Sequence, residues 1–186
     1  MIRKTALLVI DAQVGIIEGP GIGPVFQKDD FVHTVKLLIQ TARKSDIPVL
    51  YVQDLDVGGE HSPEFQIHPE IAPLPHDWII HKKATDAFHR TDLHEKLQSL
   101  GINHLVITGC KTEYCVDTTC RRATTLQYDV TLVQDGHSTT DNKVLTAEQI
   151  IAHHNTNLHG LDNVDSFIVV RGSHENVFEP IHDQYR

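Results

Sequence analysis

The chain has 186 residues and a formal net charge of -9 at pH 7. This length is enough for one substantial hydrophobic core, so we predict a single domain over residues 1–186. The acidic balance argues against nucleic acid or an anionic membrane as the partner, because either would meet a repulsive field, and it favours a neutral or cationic small molecule.

The first apolar run, Thr5 to Ile10, is brief and ends in the carboxylate of Asp11. A segment of this kind is neither a membrane span nor a signal peptide, so we expect a cytoplasmic protein. The cysteines Cys110, Cys115 and Cys120 are odd in number and fall within eleven residues. Cysteines so close together in the chain are not the pattern of disulfides that stabilise a secreted fold, so we expect free thiols.

Short apolar runs rich in β-branched residues recur along the chain and have the length of buried strands. They are Thr5 to Ile10, Pro48 to Gln53, Trp78 to His81, His104 to Thr108, Val130 to Val133 and Ser166 to Val170. Amphipathic stretches of helical length separate most of them, namely Phe31 to Lys44, Asp92 to Leu100, Tyr114 to Leu126 and Thr146 to Leu158. The alternation predicts a three-layer α/β/α fold around a six-stranded, parallel, Rossmann-like sheet.

Local signals mark several boundaries between these elements. Thr146 with Gln149 resembles a capping box, and Gly101 and Gly160 each follow a predicted helix. The stretch from Leu55 to Asp77 contains two glycines and four prolines, so it cannot form one regular element. Long loops of this kind often cover a binding site.

Ligands of open parallel sheets bind beyond the carboxyl ends of the strands, and three candidate residues follow strands here. Asp11 directly follows the first strand, where burial of a carboxylate requires a partner, although Asp11 could simply cap the next segment. Lys82 and Lys83 follow the third strand, and either could supply a cation, although paired lysines in loops are usually only solvated.

Cys115 lies where the helix after the fourth strand should begin. Unpaired amides and the positive end of the helix dipole there would stabilise a thiolate and could also accept an oxyanion. The alternative is a small buried hydrophobic residue, which describes Cys110 and Cys120 well.

Other chemistries find little support in the sequence. The cysteines form no C-x-x-C pair, which argues against zinc or thioredoxin-like chemistry. No glycine-rich phosphate loop follows the first strand, so a dinucleotide is not expected. Asp135-Gly136-His137-Ser138, after the fifth strand, is typical of a turn and could line the pocket.

Three motifs in this order resemble the isochorismatase-like cysteine hydrolase family. They are Asp11-Ala12-Gln13 after the first strand, Lys82 with Ala87-Phe88 and Thr91-Asp92-Leu93, and Gly109 to Val116 with Cys115. The resemblance implies a catalytic triad of Asp11 as proton acceptor, Lys82 rather than Lys83 as cation, and Cys115 as nucleophile. It also implies a non-proline cis peptide near Cys110-Lys111 and an oxyanion hole from the amides of Lys111 and Cys115.

The resemblance further implies a homo-oligomer, a dimer or a tetramer, that acts on a small molecule. We expect Gln13, Phe88 and Tyr114 to line the substrate pocket. Nicotinamidases of this family carry an Asp-x-His metal motif after the second strand, where this chain has Asp54-Leu55-Asp56. The loss of an imidazole argues against a bound metal, so we expect no cofactor, although Asp54, Asp56 and nearby histidines remain open as ligands.

Taken together, these features predict a cysteine hydrolase that cleaves a C–N bond of an amide, lactam or carbamoyl compound through a thioester on Cys115. Two alternatives stay open. An isochorismatase-type hydrolase of vinyl ethers would need Asp11 but not Cys115. A non-catalytic ligand-binding or thiol-sensing protein would use the same pocket without turnover.

Overall fold

The structure, a computed structural model, describes residues 4–186. Its strands are β1 (Thr5–Ile10), β2 (Val49–Asp54), β3 (Trp78–Lys82), β4 (His104–Cys110), β5 (Asp129–Ser138), β6 (Asp162–Asn163) and β7 (Ser166–Arg171). They form one sheet in the order β3-β2-β1-β4-β5-β7-β6. The six predicted strands are present and parallel, but a seventh, β6, pairs antiparallel with β7 at the edge. With two residues, β6 is too short to leave a strand pattern in the sequence.

The helices cover both faces of the sheet. They are α1 (Val14–Ile17), α2 (Lys28–Lys44), α3 (Leu93–Ser99), α4 (Asp117–Thr125) and α5 (Ala147–Leu158), with short 3₁₀ turns at Pro69–Ile71 and His182–Gln184. The predicted helix from Tyr114 to Leu126 is divided, because a π-helical turn, Thr112–Val116, precedes α4. Among residues 4–186, no helix combines the length and the hydropathy that crossing a membrane requires.

The central strand β1 is buried on both sides, which explains its continuous apolar sequence. Successive side chains of a strand point to opposite faces. Leu7 and Val9 therefore pack in one hydrophobic cluster, with residues of α2. Leu8 and Ile10 pack in a second cluster, with residues of α3 and α4. The three-layer α/β prediction is confirmed.

The local boundary signals are confirmed as well. The Thr146 hydroxyl accepts a hydrogen bond from the Gln149 amide at 3.3 Å, and the Gln149 side chain accepts one from the Thr146 amide at 3.0 Å. Gly101 and Gly160 follow α3 and α5 with positive φ, the conformation that ends many helices.

The prediction of a turn at Asp135-Gly136-His137-Ser138 is wrong. These residues continue β5, in which His137 pairs with Gly109 and Ser138 with Cys110 after a shift of register. The Thr108 hydroxyl donates a hydrogen bond to the Gly136 carbonyl, and a Cβ on Gly136 would lie 2.8 Å from Val133 Cβ. Tertiary pairing with β4 thus overrides the local turn preference, and it carries β5 to the edge of the site.

Candidate active site

The carboxyl ends of four adjacent strands bring the predicted catalytic groups together. Lys82, the last residue of β3, pairs in register with Asp54, the last residue of β2. Asp11 follows β1, and its amide donates a hydrogen bond to the Val52 carbonyl of β2 at 2.9 Å. Cys115 follows β4, the other neighbour of β1. The strand order therefore places a cation, two carboxylates and a thiol side by side.

The Lys82 ammonium is the centre of this arrangement. Its Nζ lies 2.8 Å from Asp11 Oδ2, 2.8 Å from Asp54 Oδ2 and 3.4 Å from Cys115 Sγ. The Lys82 side chain has no solvent exposure, so its charge depends on these partners. Burial by itself lowers the pKa of Lys82, but Asp11 and Cys115 outweigh it and raise the pKa above its ordinary value. Lys82 is thus a permanent cation at neutral pH.

Asp11 is a fully buried carboxyl in a strained backbone conformation. Its φ is +47°, in the left-handed region that residues other than glycine rarely adopt. Burial raises the pKa of Asp11 to about 6, against the opposing effect of the Lys82 ammonium. At neutral pH Asp11 is therefore ionised, yet its pKa lies close enough to that pH for Asp11 to accept and return a proton.

Cys115 occupies the π-helical turn Thr112–Val116 that leads into α4. The Lys111 carbonyl accepts hydrogen bonds from the amides of Tyr114 at 3.1 Å and Val116 at 3.3 Å, which ties the turn to the end of β4. Burial and the charge of Asp11 raise the pKa of the Cys115 thiol to about 12, although Lys82 opposes them. Desolvation and the Asp11 carboxylate thus act against the thiolate that the helix terminus is expected to stabilise.

The segment before the nucleophile also matches what the resemblance implies. The peptide bond Cys110-Lys111 is cis, and the Cys110 side chain is fully buried. The Lys111 ammonium donates a hydrogen bond to the Thr140 hydroxyl at 3.0 Å. An oxyanion hole from the amides of Lys111 and Cys115 stays a prediction. All three cysteines are free thiols, as expected.

Buried His137 connects the nucleophile turn to two other elements, and the sequence offered no sign of this role. Its Nδ1 lies 2.9 Å from the Thr112 hydroxyl, and its Nε2 lies 2.9 Å from Asn155 Oδ1 on α5. Burial lowers the pKa of His137 to about 4, so the ring is neutral at physiological pH. His137 therefore braces the turn through hydrogen bonds rather than through charge.

The three residues expected to line the pocket lie in different environments. Gln13 is buried, and its side-chain amide forms hydrogen bonds with the main chain. The nitrogen of this side chain donates to the carbonyls of Asp54 and Phe65, and its oxygen accepts from the backbone amide of Asp54. Phe88 is in the core, stacked on Tyr128 at 5.9 Å between ring centroids. Tyr114 is 55% exposed on the nucleophile turn. Of the three, Tyr114 is the one that solvent reaches readily.

The sequence indicates Asp54 only as a possible metal ligand. Oxygen or sulfur atoms of Asp11, Asp54 and Cys115 lie within 4.8 Å of one another, a spacing that a metal ion could bridge. The Lys82 ammonium, however, already contacts both carboxylates and would repel a divalent cation. Asp56 is exposed, and its amide donates to Asp54 Oδ1 at 2.9 Å. These residues do not fit a metal site; Asp54 is instead a second counter-ion of Lys82.

Comparisons with known proteins agree with this geometry. The isochorismatase domain family matches residues 5–156. A ureidoacrylate amidohydrolase of Caulobacter vibrioides is 25% identical over 171 residues, covering 72% of this chain and 76% of that protein. A streptothricin hydrolase of Streptomyces noursei is 29% identical over 140 residues, covering 73% of this chain and 50% of that protein. The chain therefore spans about half the length of that second relative.

Solved structures extend the likeness to the whole fold. An isochorismatase of Pseudomonas putida KT2440 matches with a TM-score of 0.82 at 32% identity, covering 91% of this chain and 88% of that chain. The family match includes β1 to β5 and hence Asp11, Lys82 and Cys115. The chain belongs to the isochorismatase family and is a hydrolase of that family.

Proposed function

We propose that this hydrolase cleaves the C–N bond of a small amide, lactam or carbamoyl compound through a thioester on Cys115. The observation that carries the proposal is the position of the Lys82 ammonium, 2.8 Å from Asp11 and 3.4 Å from the Cys115 sulfur. A thiol, a base and a fixed cation within one buried cluster are the parts that nucleophilic acyl transfer needs. The amidohydrolase name of one relative supports the same bond type.

The protonation states favour a concerted first step. At neutral pH the resting cluster contains the Asp11 carboxylate, the Lys82 ammonium and a neutral Cys115 thiol. As the sulfur attacks the carbonyl carbon, the thiol proton passes to Asp11, so a free thiolate never has to persist in the buried site. The carbonyl oxygen takes up negative charge, which Lys82 and nearby amides stabilise.

The remaining steps return every group to its starting state. The tetrahedral adduct collapses as the C–N bond breaks, and Asp11 donates its proton to the leaving nitrogen. Water then attacks the thioester carbon and gives one proton to Asp11, and the C–S bond breaks as that proton returns to sulfur. The net change is amide plus water to carboxylic acid plus amine or ammonia.

The test compares amine or ammonia release by the native protein and by Cys115→Ala over a panel of amides, lactams and carbamoyl compounds. We expect release to fall by at least about 1,000-fold in Cys115→Ala, because the covalent route is lost. Cys120→Ala is the matched control, since Cys120 is buried in α4 outside the cluster. An acyl adduct on Cys115, detected by mass spectrometry of quenched reactions, would identify the thioester directly.

The same panel separates the alternatives. A vinyl ether added to the panel tests the first alternative: ether hydrolysis that survives in Cys115→Ala but disappears in Asp11→Asn would favour a hydrolase of the vinyl-ether type, which needs the acid but not the thiol. Tight binding of panel compounds without turnover would favour a ligand-binding protein.

A further inference from the structure

The turn that carries Cys115 depends on how its first residue is held. In the π-helical turn Thr112–Val116, the Asp117 amide donates a hydrogen bond to the Thr112 carbonyl, five residues earlier in the chain. Turns with this spacing are rare and are frequent at functional sites. Because Cys115 lies between these two hydrogen-bonded residues, any shift of Thr112 moves the sulfur.

The Thr112 side chain is buried, and it contacts a residue of the sheet. Its hydroxyl lies 2.9 Å from His137 Nδ1, and a buried hydroxyl needs such a partner. His137 lies near the end of β5, where it pairs in register with Gly109 of β4. The imidazole is therefore fixed by the sheet, and the hydroxyl contact ties the start of the nucleophile turn to it.

Asn155, on α5, determines which nitrogen of the imidazole carries the proton. Its side-chain nitrogen donates to the Gln134 carbonyl at 3.0 Å, so its Oδ1 is left to face His137 Nε2 at 2.9 Å. Because Oδ1 is an acceptor, Nε2 must carry a proton. Burial lowers the pKa of His137 to about 4, which leaves the ring a single proton at neutral pH. Nδ1 is therefore an acceptor, and the Thr112 hydroxyl donates to it.

We propose that His137 and Asn155 are positioning residues of the hydrolase, which act through Thr112. They hold the nucleophile turn so that the Cys115 sulfur faces the carboxylate of Asp11. The proposal rests on the proposed function, in which this thiol is the nucleophile. Among residues 4–186, neither positioning residue forms a hydrogen bond or an ion pair with the triad, so the effect passes through the turn. Buried hydrogen-bond networks are rigid when every member is satisfied.

Alkylation by iodoacetamide measures this placement without a substrate. Cys110 and Cys120 are fully buried, so Cys115 is the thiol within reach of the reagent, and mass spectrometry gives its rate. The sulfur forms a bond to the reagent carbon, iodide leaves, and the thiol proton passes to Asp11. The native rate should therefore rise with pH through about 6, the pKa of Asp11. A sulfur displaced from this base should react only as the thiol itself ionises, at higher pH.

The decisive variants change the Thr112 hydroxyl and its support. We expect alkylation at neutral pH to slow by at least about tenfold in Thr112→Val, which lacks the hydroxyl, and the rise near pH 6 to disappear. Thr112→Ser keeps the hydroxyl and should retain both the rate and the rise. Asn155→Leu should slow alkylation by a smaller factor, because the imidazole keeps its place in the sheet but loses the acceptor that fixes its proton.

Thr131→Val is the matched control, because the buried Thr131 hydroxyl lies 2.8 Å from His104 Nε2 near the start of β5. It should lower the free energy of unfolding in urea about as much as Thr112→Val does, yet leave alkylation native. Equal slowing in the control, or native alkylation in Thr112→Val, would overturn the proposal. A His137 ring protonated at Nδ1, seen by NMR of the ring nitrogens, would overturn it as well. Full amide hydrolysis by Cys115→Ala would instead refute the proposed function.

Discussion

At Gly109 strand β4 lies close against the end of β1, and Gly109→Ala tests how tightly the site depends on that approach. Gly109 pairs with Ile10 and has a φ of +131°. A Cβ there would lie 2.0 Å from the Ile10 carbonyl oxygen, whereas ordinary contact begins near 3.4 Å. The ends of β1 and β4 would have to separate by about 1.4 Å (3.4 minus 2.0). The clash is with a backbone atom, so no change of side-chain rotamer can relieve it.

Two costs add in this variant. An L-residue with positive φ costs about 1–2 kcal/mol, and overpacking typically costs about 1–3 kcal/mol and more against backbone. We therefore expect the free energy of unfolding in urea to fall by about 2–5 kcal/mol. Asp11 follows Ile10 directly, and a displacement of the order of 1 Å in a catalytic group can reduce kcat/KM about 100-fold.

Gly160→Ala is the matched control for the conformational cost alone. Gly160 has a φ of +81°, but a Cβ there would meet nothing within 4 Å. We expect a loss of about 1–2 kcal/mol and unchanged kcat/KM. Equal destabilisation in the two variants, or full activity in Gly109→Ala, would refute the argument that the contact between β1 and β4 sets the position of Asp11.

Three further predictions concern pH, the buried amide and a helix cap. Because burial raises the pKa of Asp11 to about 6 and the carboxylate is the active form, kcat/KM should rise with pH through about 6 and then level off; a profile that is flat from pH 5 to 8 would contradict this. Gln13→Leu leaves the Asp54 amide and the Phe65 carbonyl without that partner, so unfolding in urea should show a loss of about 1–3 kcal/mol, and unchanged stability would mean that water replaces the amide. Thr146→Ala removes one half of a capping box and should cost about 1 kcal/mol by thermal unfolding, whereas Thr146→Ser should retain most of the stability.

Much of the fold could be predicted because its signals are local. Strands buried on both faces have continuous apolar sequences, so the runs in β1, β2, β4 and β7 are visible without any knowledge of their neighbours. The parallel direction then follows from the helices between them. The same logic places Asp11, Lys82 and Cys115 at one edge of the sheet, because each follows a strand.

The contacts and charges within the site depend on residues that are far apart in the chain, so only the tertiary structure decided them. Lys82, at the end of β3, contacts Asp54 at the end of the neighbouring strand β2 and also Asp11, which follows β1 on the far side of β2. No local sequence pattern encodes this strand order. Burial and the charge of Asp11 raise the pKa of the Cys115 thiol, and both depend on how the chain packs around it. The sequence by itself determined which groups reach the edge of the sheet. Strand order and desolvation decided which groups touch and which charge each one carries, because both are properties of the packed chain.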